Sequence, residues 1–263
     1  MIDGTQALIL ALLQGLTEFL PISSSAHLVI PSLILGWPDQ GLAFDVAVHV
    51  GTLSAVVWFY RRDLLAMAGA CLRPAGAEAR GQQILVVQLA AATLPAVVLG
   101  LLADDFIEAN LRTLPVIATT TLVFGLLLGL ADRRGGGAVR LNWGIAIAVG
   151  CAQALALVPG VSRSGVTITA ALMLGLSRQD AARFSFLLSI PVIGGAGLLK
   201  SLDLAEQSAA VDWGWLGFAA LVAGITAYAC IDLFLRLLDR VGMMPFVYYR
   251  IALAGLLYAI WVV

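Results

Sequence analysis

Two short stretches hold almost all the chemistry this chain can offer. The first, "QGLTEFLPISSSAH" at residues 14–27, places Gln14 and Glu18 one helical turn apart, then a proline, three serines and His27. The second, "PGVSRSGVT" at residues 159–167, sets Arg163 between two serines and two glycines, with Thr167 one turn further on. A carboxylate such as Glu18 can move a proton, hold a hard divalent cation through oxygen, or pair with a buried arginine. Serine hydroxyls close to a histidine can act as nucleophile and base, as in a pairing of Ser24 with His27. Serines also cap helices, and at least one of Ser23, Ser24 and Ser25 is expected to do so. An arginine among serines and glycines at the start of a helix makes an anion cradle. Ser162, Ser164 and backbone N–H groups point at the anion, the helix dipole assists, and the guanidinium grips phosphate oxygens in pairs. The competing reading of Arg163 is a buried ion pair with Glu18 or Asp45.

The elements that must position these residues are membrane helices. Of the 263 residues, 61% are hydrophobic and only 12% charged, too few to coat a water-soluble domain of this length. Apolar runs such as 84–103, 114–131 and 215–235 match the roughly 20 residues that cross a bilayer core. The fold class is an all-α polytopic membrane protein, one membrane domain over 1–263, with spans expected at 42–60, 83–103, 114–131, 183–200, 214–237 and 246–263. The stretches 5–35 and 141–176 differ: a proline and a polar cluster interrupt each near its middle. Their arms are too short for full crossings, which predicts two re-entrant helical hairpins. The opening residues lack a cationic segment and an A-x-A site, so the first helices are expected to remain in the mature protein.

Charge placement orients this arrangement. Arg61, Arg62, Arg73, Arg80, Arg133, Arg134, Arg140, Arg178, Arg183, Arg236 and Arg240 gather at one set of loops. The alternate loops carry Asp104, Asp105, Glu108, Asp203, Glu206 and Asp212, with only Arg112 and Lys200. The positive-inside rule makes the arginine-rich loops cytoplasmic and puts both termini outside. "QGLTEFLPISSSAHL" is echoed by "QALALVPGVSRSGVTI", and three spans separate the two, an odd number. The chain therefore reads as two inverted repeats, 1–133 and 140–263, whose hairpin tips meet within the membrane.

Few other ionisable groups lie at membrane depth. Asp45 and His49 stand four apart and are read either as a structural pair or as part of the site. Arg250 either snorkels toward the cytoplasmic face or serves the site. Asp232 reads as a packing or interfacial acid. Cys71, Cys151 and Cys230 have no metal or redox spacing. No basic stripe suits nucleic acid. What remains is a phosphate-binding site inside a membrane, so the anion is expected to arrive on a lipid.

At these residues the sequence resembles the undecaprenyl-pyrophosphate phosphatases of the bacitracin-resistance type. "QGLTEFLPISSSAH" and "PGVSRSGVT" carry the likeness, and "FDVAVHVGTLSAVVWFYRRDL" and "MPFVYYRIALAGLLY" extend it over nearly the whole chain. The resemblance implies six transmembrane helices with two re-entrant hairpins. It implies removal of the terminal phosphate from a polyprenyl pyrophosphate at the outer face of the bacterial cytoplasmic membrane, with a divalent cation, Mg or Ca. It casts Glu18 in catalysis or metal binding, Ser24 as nucleophile, and His27 as the proton-handling histidine. Ser162, Arg163, Ser164 and Thr167 match the phosphate signature, with Ser23 and Ser25 beside it, and Arg250 matches a basic position of the last helix. Gln14 stands where some members have glutamate; a neutral amide is a weaker ligand, which shifts metal holding to Glu18. A homodimer is an open option. The rival reading is a polyprenyl-phosphate transporter or flippase, since inverted repeats with broken helices are also a transporter design.

Overall fold

The structure, a computed structural model, describes residues 3–73, 76–134, 136–137, 139–206 and 212–262, apart from the side chains of residues 33, 104, 108, 203 and 205. The loop acids Asp104, Glu108 and Asp203 thus lie outside the described side chains. With no water in a bilayer core, each segment must satisfy its own backbone, and helices do that. Among the described residues eleven α-helices follow in order: α1 (Gly4–Thr17), α2 (Ser24–Leu35), α3 (Leu42–Phe59), α4 (Arg61–Leu72), α5 (Gly76–Asn110), α6 (Leu114–Arg133), α7 (Trp143–Ala154), α8 (Arg163–Met173), α9 (Arg178–Glu206), α10 (Trp213–Val241) and α11 (Met244–Val262). No strand occurs among the described residues.

Among the described residues six helices (α3, α5, α6, α9, α10 and α11) are long and apolar enough to cross a membrane, the six expected from the sequence. Both interrupted stretches fold as pairs of short helices. α1 spans 14 residues, about 21 Å at 1.5 Å per residue, against a hydrocarbon core of about 30 Å. α4 is a helix that the sequence reading did not anticipate. It carries charge at its start and buries only Met67 and Ala70, and the Gln83 amide of α5 donates to its Ala70 carbonyl at 2.9 Å. A short, weakly apolar helix between two spans gives little periodic signal in sequence.

Helix association in lipid relies on close packing more than on apolar burial, so small residues mark the contacts that position the site. α1 lies against α10, where a Cβ on Gly15 would come within 2.6 Å of the Ala223 carbonyl oxygen. α7 lies against α5 in the same manner, with Gly150 facing the Ala92 backbone. α3 packs on α10 and α9, and α6 on α11. Arg178 donates to the Asp132 carboxylate at 2.6 Å, and the Met243 amide donates to it at 3.2 Å, which ties α6, α9 and the α10–α11 turn together at one end.

Candidate active site

Both interrupted stretches turn by the same backbone device. After α1 the chain rounds Pro21, and Ser23 takes φ 74°, ψ 94° immediately before α2. After α7 and a single 3-10 turn the chain rounds Pro159 and Gly160, and Ser162 takes φ 72°, ψ 115° immediately before α8. These two serines are the non-glycine residues with positive φ among the described residues. Each such conformation costs on the order of 1–3 kcal/mol, and surrounding contacts must hold it. Here the contacts are across the tips. The Ser164 hydroxyl donates to the Leu20 carbonyl at 2.8 Å, and the Gly160 amide lies 3.5 Å from Ser25 Oγ.

Glu18 is the centre of this meeting. It is buried, and its Oε2 accepts from Gln14 Nε2 and from the Ser24 hydroxyl, both at 3.0 Å. Its Oε1 accepts from Arg163 Nη2 at 3.2 Å, across 145 residues of sequence. Arg163 pairs with Glu18, the ion-pair reading of this residue, and it does so as the first residue of the short helix α8. Arg163 Nη1 donates to the Ser185 carbonyl at 3.1 Å, and the guanidinium lies 5.6 Å from the Phe19 ring. Thr167 and Ser185 exchange a hydroxyl bond of 2.7 Å that braces this carbonyl, so Thr167 supports Arg163 from behind. Ser162 caps α8 by accepting from the Gly165 amide at 3.1 Å. The serine cap expected for α2 is not formed: Ser23 occupies the cap position but its hydroxyl meets Ser25 at 3.1 Å instead.

His27 is placed differently from the Ser24–His27 pairing that the sequence suggests. Its Nδ1 bonds the Ser23 carbonyl at 2.7 Å, which makes Nδ1 the donor. Its Nε2 then accepts from the Tyr249 hydroxyl at 2.5 Å, with the two rings stacked. Ser24 instead faces Glu18. Sequence reasoning missed Tyr249 and Ser185; the aromatic pair beside Arg250 in "PFVYYR" was the available signal for Tyr249. His49 donates from Nδ1 to the backbone carbonyl of Asp45, not to its carboxylate, and its Nε2 reaches within 3.9 Å of Glu18 Oε2. The Asp45 carboxylate accepts from Gln40 at 3.1 Å. Asp232 pairs with Arg236 on the exposed face of α10, as an interfacial acid would.

Arg250 neither snorkels nor lines an open site. It is fully buried, and its guanidinium donates only to backbone carbonyls: Thr121 at 3.0 Å, Pro21 at 3.2 Å, Thr120 at 3.4 Å, Gly160 at 2.9 Å and Val161 at 3.1 Å. It thereby ties both tips to α6. In this arrangement backbone carbonyl oxygens occupy the fork of Arg250. Its charge still counts. Two guanidinium groups and one carboxylate at the tips leave an excess of positive charge for an anion.

Two buried polar atoms here have no partner, Gln14 Oε1 and Arg163 Nε. Glu18 and Ser24 carry oxygens of the kind that suit a hard divalent cation, while Gln14 presents its Nε2, not Oε1, to Glu18. The set has one carboxylate, and among the described residues no three His, Cys, Asp or Glu side chains converge. Chemically, the cluster offers a hydroxyl and a guanidinium bonded to one carboxylate, and the N-termini of two short helices.

Residues 7–256 match the family model described as bacitracin resistance protein BacA. An undecaprenyl-diphosphatase of Alcanivorax borkumensis is 61% identical over 95% of this chain and 96% of its own. Those of Teredinibacter turnerae and Hahella chejuensis are 54% and 52% identical, with 97–98% of this chain and 98% of each relative covered.

Proposed function

This chain belongs to the bacitracin resistance protein BacA family, and on that footing we propose that it is an undecaprenyl-diphosphatase whose site is the meeting of the two tips. It hydrolyses undecaprenyl pyrophosphate to undecaprenyl phosphate and inorganic phosphate, which recycles the lipid carrier for cell-wall synthesis and gives resistance to bacitracin. The observation that carries the assignment of the site is the Glu18 carboxylate, bonded at once to Ser24 and to Arg163 from the other half of the chain.

Arg163 and the N-termini of α2 and α8 hold the pyrophosphate and stabilise the charge on the transferring phosphoryl group. Ser24 Oγ attacks the terminal phosphorus in line. The Oγ–P bond forms, the bond from that phosphorus to the bridging oxygen breaks, and undecaprenyl phosphate leaves. The Ser24 proton passes to Glu18 Oε2, its present acceptor. Water then hydrolyses the phosphoserine, releases inorganic phosphate and restores the hydroxyl. A divalent cation held by Glu18 would supply Lewis-acid neutralisation of phosphate charge. In the second step the water's proton passes to the Tyr249 oxygen while the Tyr249 hydroxyl proton passes to His27 Nε2, its present acceptor, and Glu18 returns its proton to Ser24 Oγ. Removing that hydroxyl while keeping the ring, in Tyr249→Phe, is expected to lower kcat by about 10²-fold with KM nearly unchanged, read by steady-state phosphate release.

The two short-helix pairs are re-entrant hairpins in inverted repeats, with the site open to the outer side of the bacterial inner membrane. Three things support this topology: the short arms, the arginine-rich loops on one side, and the reciprocal docking of α1 on α10 and α7 on α5. The test of function is phosphate release from undecaprenyl pyrophosphate by the purified protein with Mg or Ca present. Glu18→Ala should reduce it by at least about 10³-fold while lipid binding persists. Movement of the lipid across vesicles with no phosphate release would replace the phosphatase with a transporter.

A further inference from the structure

The second tip turns over residues 158–161, where the Val161 amide donates to the Val158 carbonyl at 3.2 Å. Proline holds φ at about −65° at the first central position, Pro159. Gly160 takes φ 90° at the second. A negative φ followed by a positive one makes this a type II turn. Types I and II differ mainly in the facing of the central peptide, which turns over between them. Proline at the first central position suits both, and glycine at the second adopts either sign of φ. Local sequence therefore leaves open which way the Pro159–Gly160 peptide faces. The choice has chemical consequences, because this peptide carries a carbonyl acceptor on one side and an N–H donor on the other.

Helix α6 makes the choice. The Thr120 hydroxyl reaches the Pro159 carbonyl at 2.6 Å, nearer than the carbonyls of its own helix, Val116 at 2.8 Å and Ile117 at 3.1 Å. A hydroxyl has one proton to give, and of these three acceptors Pro159 alone lies outside a helix. With the carbonyl drawn to α6, the Gly160 N–H turns the opposite way and faces the first tip. There it meets Ser25 Oγ at 3.5 Å, longer than the usual bond of about 2.9–3.0 Å. Gly160 is buried and Ser25 is exposed, so this N–H stands just inside the opening between the tips with a weak partner. Arg250 does not fix the facing, since its guanidinium takes the Gly160 and Val161 carbonyls, which belong to the next two peptides. We propose that Thr120 is a positioning residue for phosphate binding. By holding the Pro159 carbonyl on α6, it keeps the Gly160 N–H turned into the opening, where a phosphate oxygen takes it up in place of Ser25. The proposal rests on the phosphatase reading above and adds one backbone donor to Arg163 and the helix N-termini. The opposite facing would present the Pro159 carbonyl oxygen to the phosphate, and two acceptors repel.

Residues 159 and 160 are the one Pro–Gly step in the sequence. Isotopic labelling of proline carbonyl carbon and glycine nitrogen together therefore isolates a single amide in the NMR spectrum, that of Gly160. Inorganic pyrophosphate is titrated into the purified full-length protein in detergent. In wild type the Gly160 amide proton should move downfield as pyrophosphate binds. Thr120→Ser, which keeps the hydroxyl, should show the same movement and release phosphate from undecaprenyl pyrophosphate within about twofold of wild type. Thr120→Val, close in shape but without the hydroxyl, should lose the movement and lower kcat/KM by about tenfold. That is less than the roughly 10²–10³ of a donor removed outright, because the freed peptide still samples the productive facing. A purely structural role for Thr120 would lower the unfolding temperature of Thr120→Val and leave the amide response intact. An amide that does not move in wild type, or that moves equally in Thr120→Val, overturns the proposal. Wild-type protein that releases no phosphate removes the phosphatase reading instead, whatever the amide does.

Discussion

Arg163→Ala is expected to lower phosphate release by about 10³-fold or more. Two losses coincide. The pyrophosphate loses a bidentate donor in a site shielded from water, where one such donor is worth about 10²–10³ in kcat. Glu18 loses its cationic partner, and a buried charge left without one destabilises by roughly 3–5 kcal/mol, somewhat less here because the Arg163 side chain keeps 11% of its surface exposed. Arg163→Lys separates the two. An ammonium can still face Glu18, but it cannot also span to the Ser185 carbonyl and grip two phosphate oxygens, so folding should recover more than turnover does. The measurements are steady-state phosphate release and thermal unfolding in detergent. Activity within about tenfold of wild type in Arg163→Ala would remove Arg163 from phosphate binding.

The second large effect is at Arg250, for a different reason. Its guanidinium bonds carbonyls of both tips and of α6. Arg250→Ala leaves those buried acceptors unpaired at about 1–3 kcal/mol each, non-additively, and opens a void beside Gly125. Release of phosphate should fall to background. Backbone hydrogen exchange should rise at residues 20–25 and 158–164 while α3 and α10 stay protected. Arg163→Ala should leave exchange at the tips near wild type, because Ser164 and Arg250 still hold them. Arg250→Lys should rescue little, since one compact ammonium cannot reach three segments at once. Loss of activity without added exchange at the tips would return Arg250 to a direct role on substrate.

Much of this was legible in the residues. Proline and serine clusters inside apolar runs foretold where α1 and α7 would break, and six full-length apolar runs foretold the spans. Glu18, Ser24 and Arg163 were legible as chemistry because ionisable and hydroxyl groups at membrane depth need a cavity or a partner. The second helix pair was readable as an echo of the first for the same reason. α4 was not legible, since its stability comes from lying on α5 rather than from its own periodicity.

What the sequence could not decide was which polar group bonds which. Near neighbours on a tip gave Ser24 and His27 as a plausible pair, yet the fold turns Ser24 onto Glu18 and His27 onto Tyr249, 222 residues away. Arg250 looked like a substrate ligand or a snorkelling cation, and the packing of α11 against α6 made it the clip of both tips. The strained serines at 23 and 162 are likewise visible only in three dimensions, because a φ held against its intrinsic preference exists only where distant contacts enforce it. Composition and spacing thus determined the helices, their breaks and the chemistry on offer. The tertiary structure alone decided the partners, since in a water-poor interior each donor must find an acceptor and the nearest one is set by helix packing, not by distance along the chain.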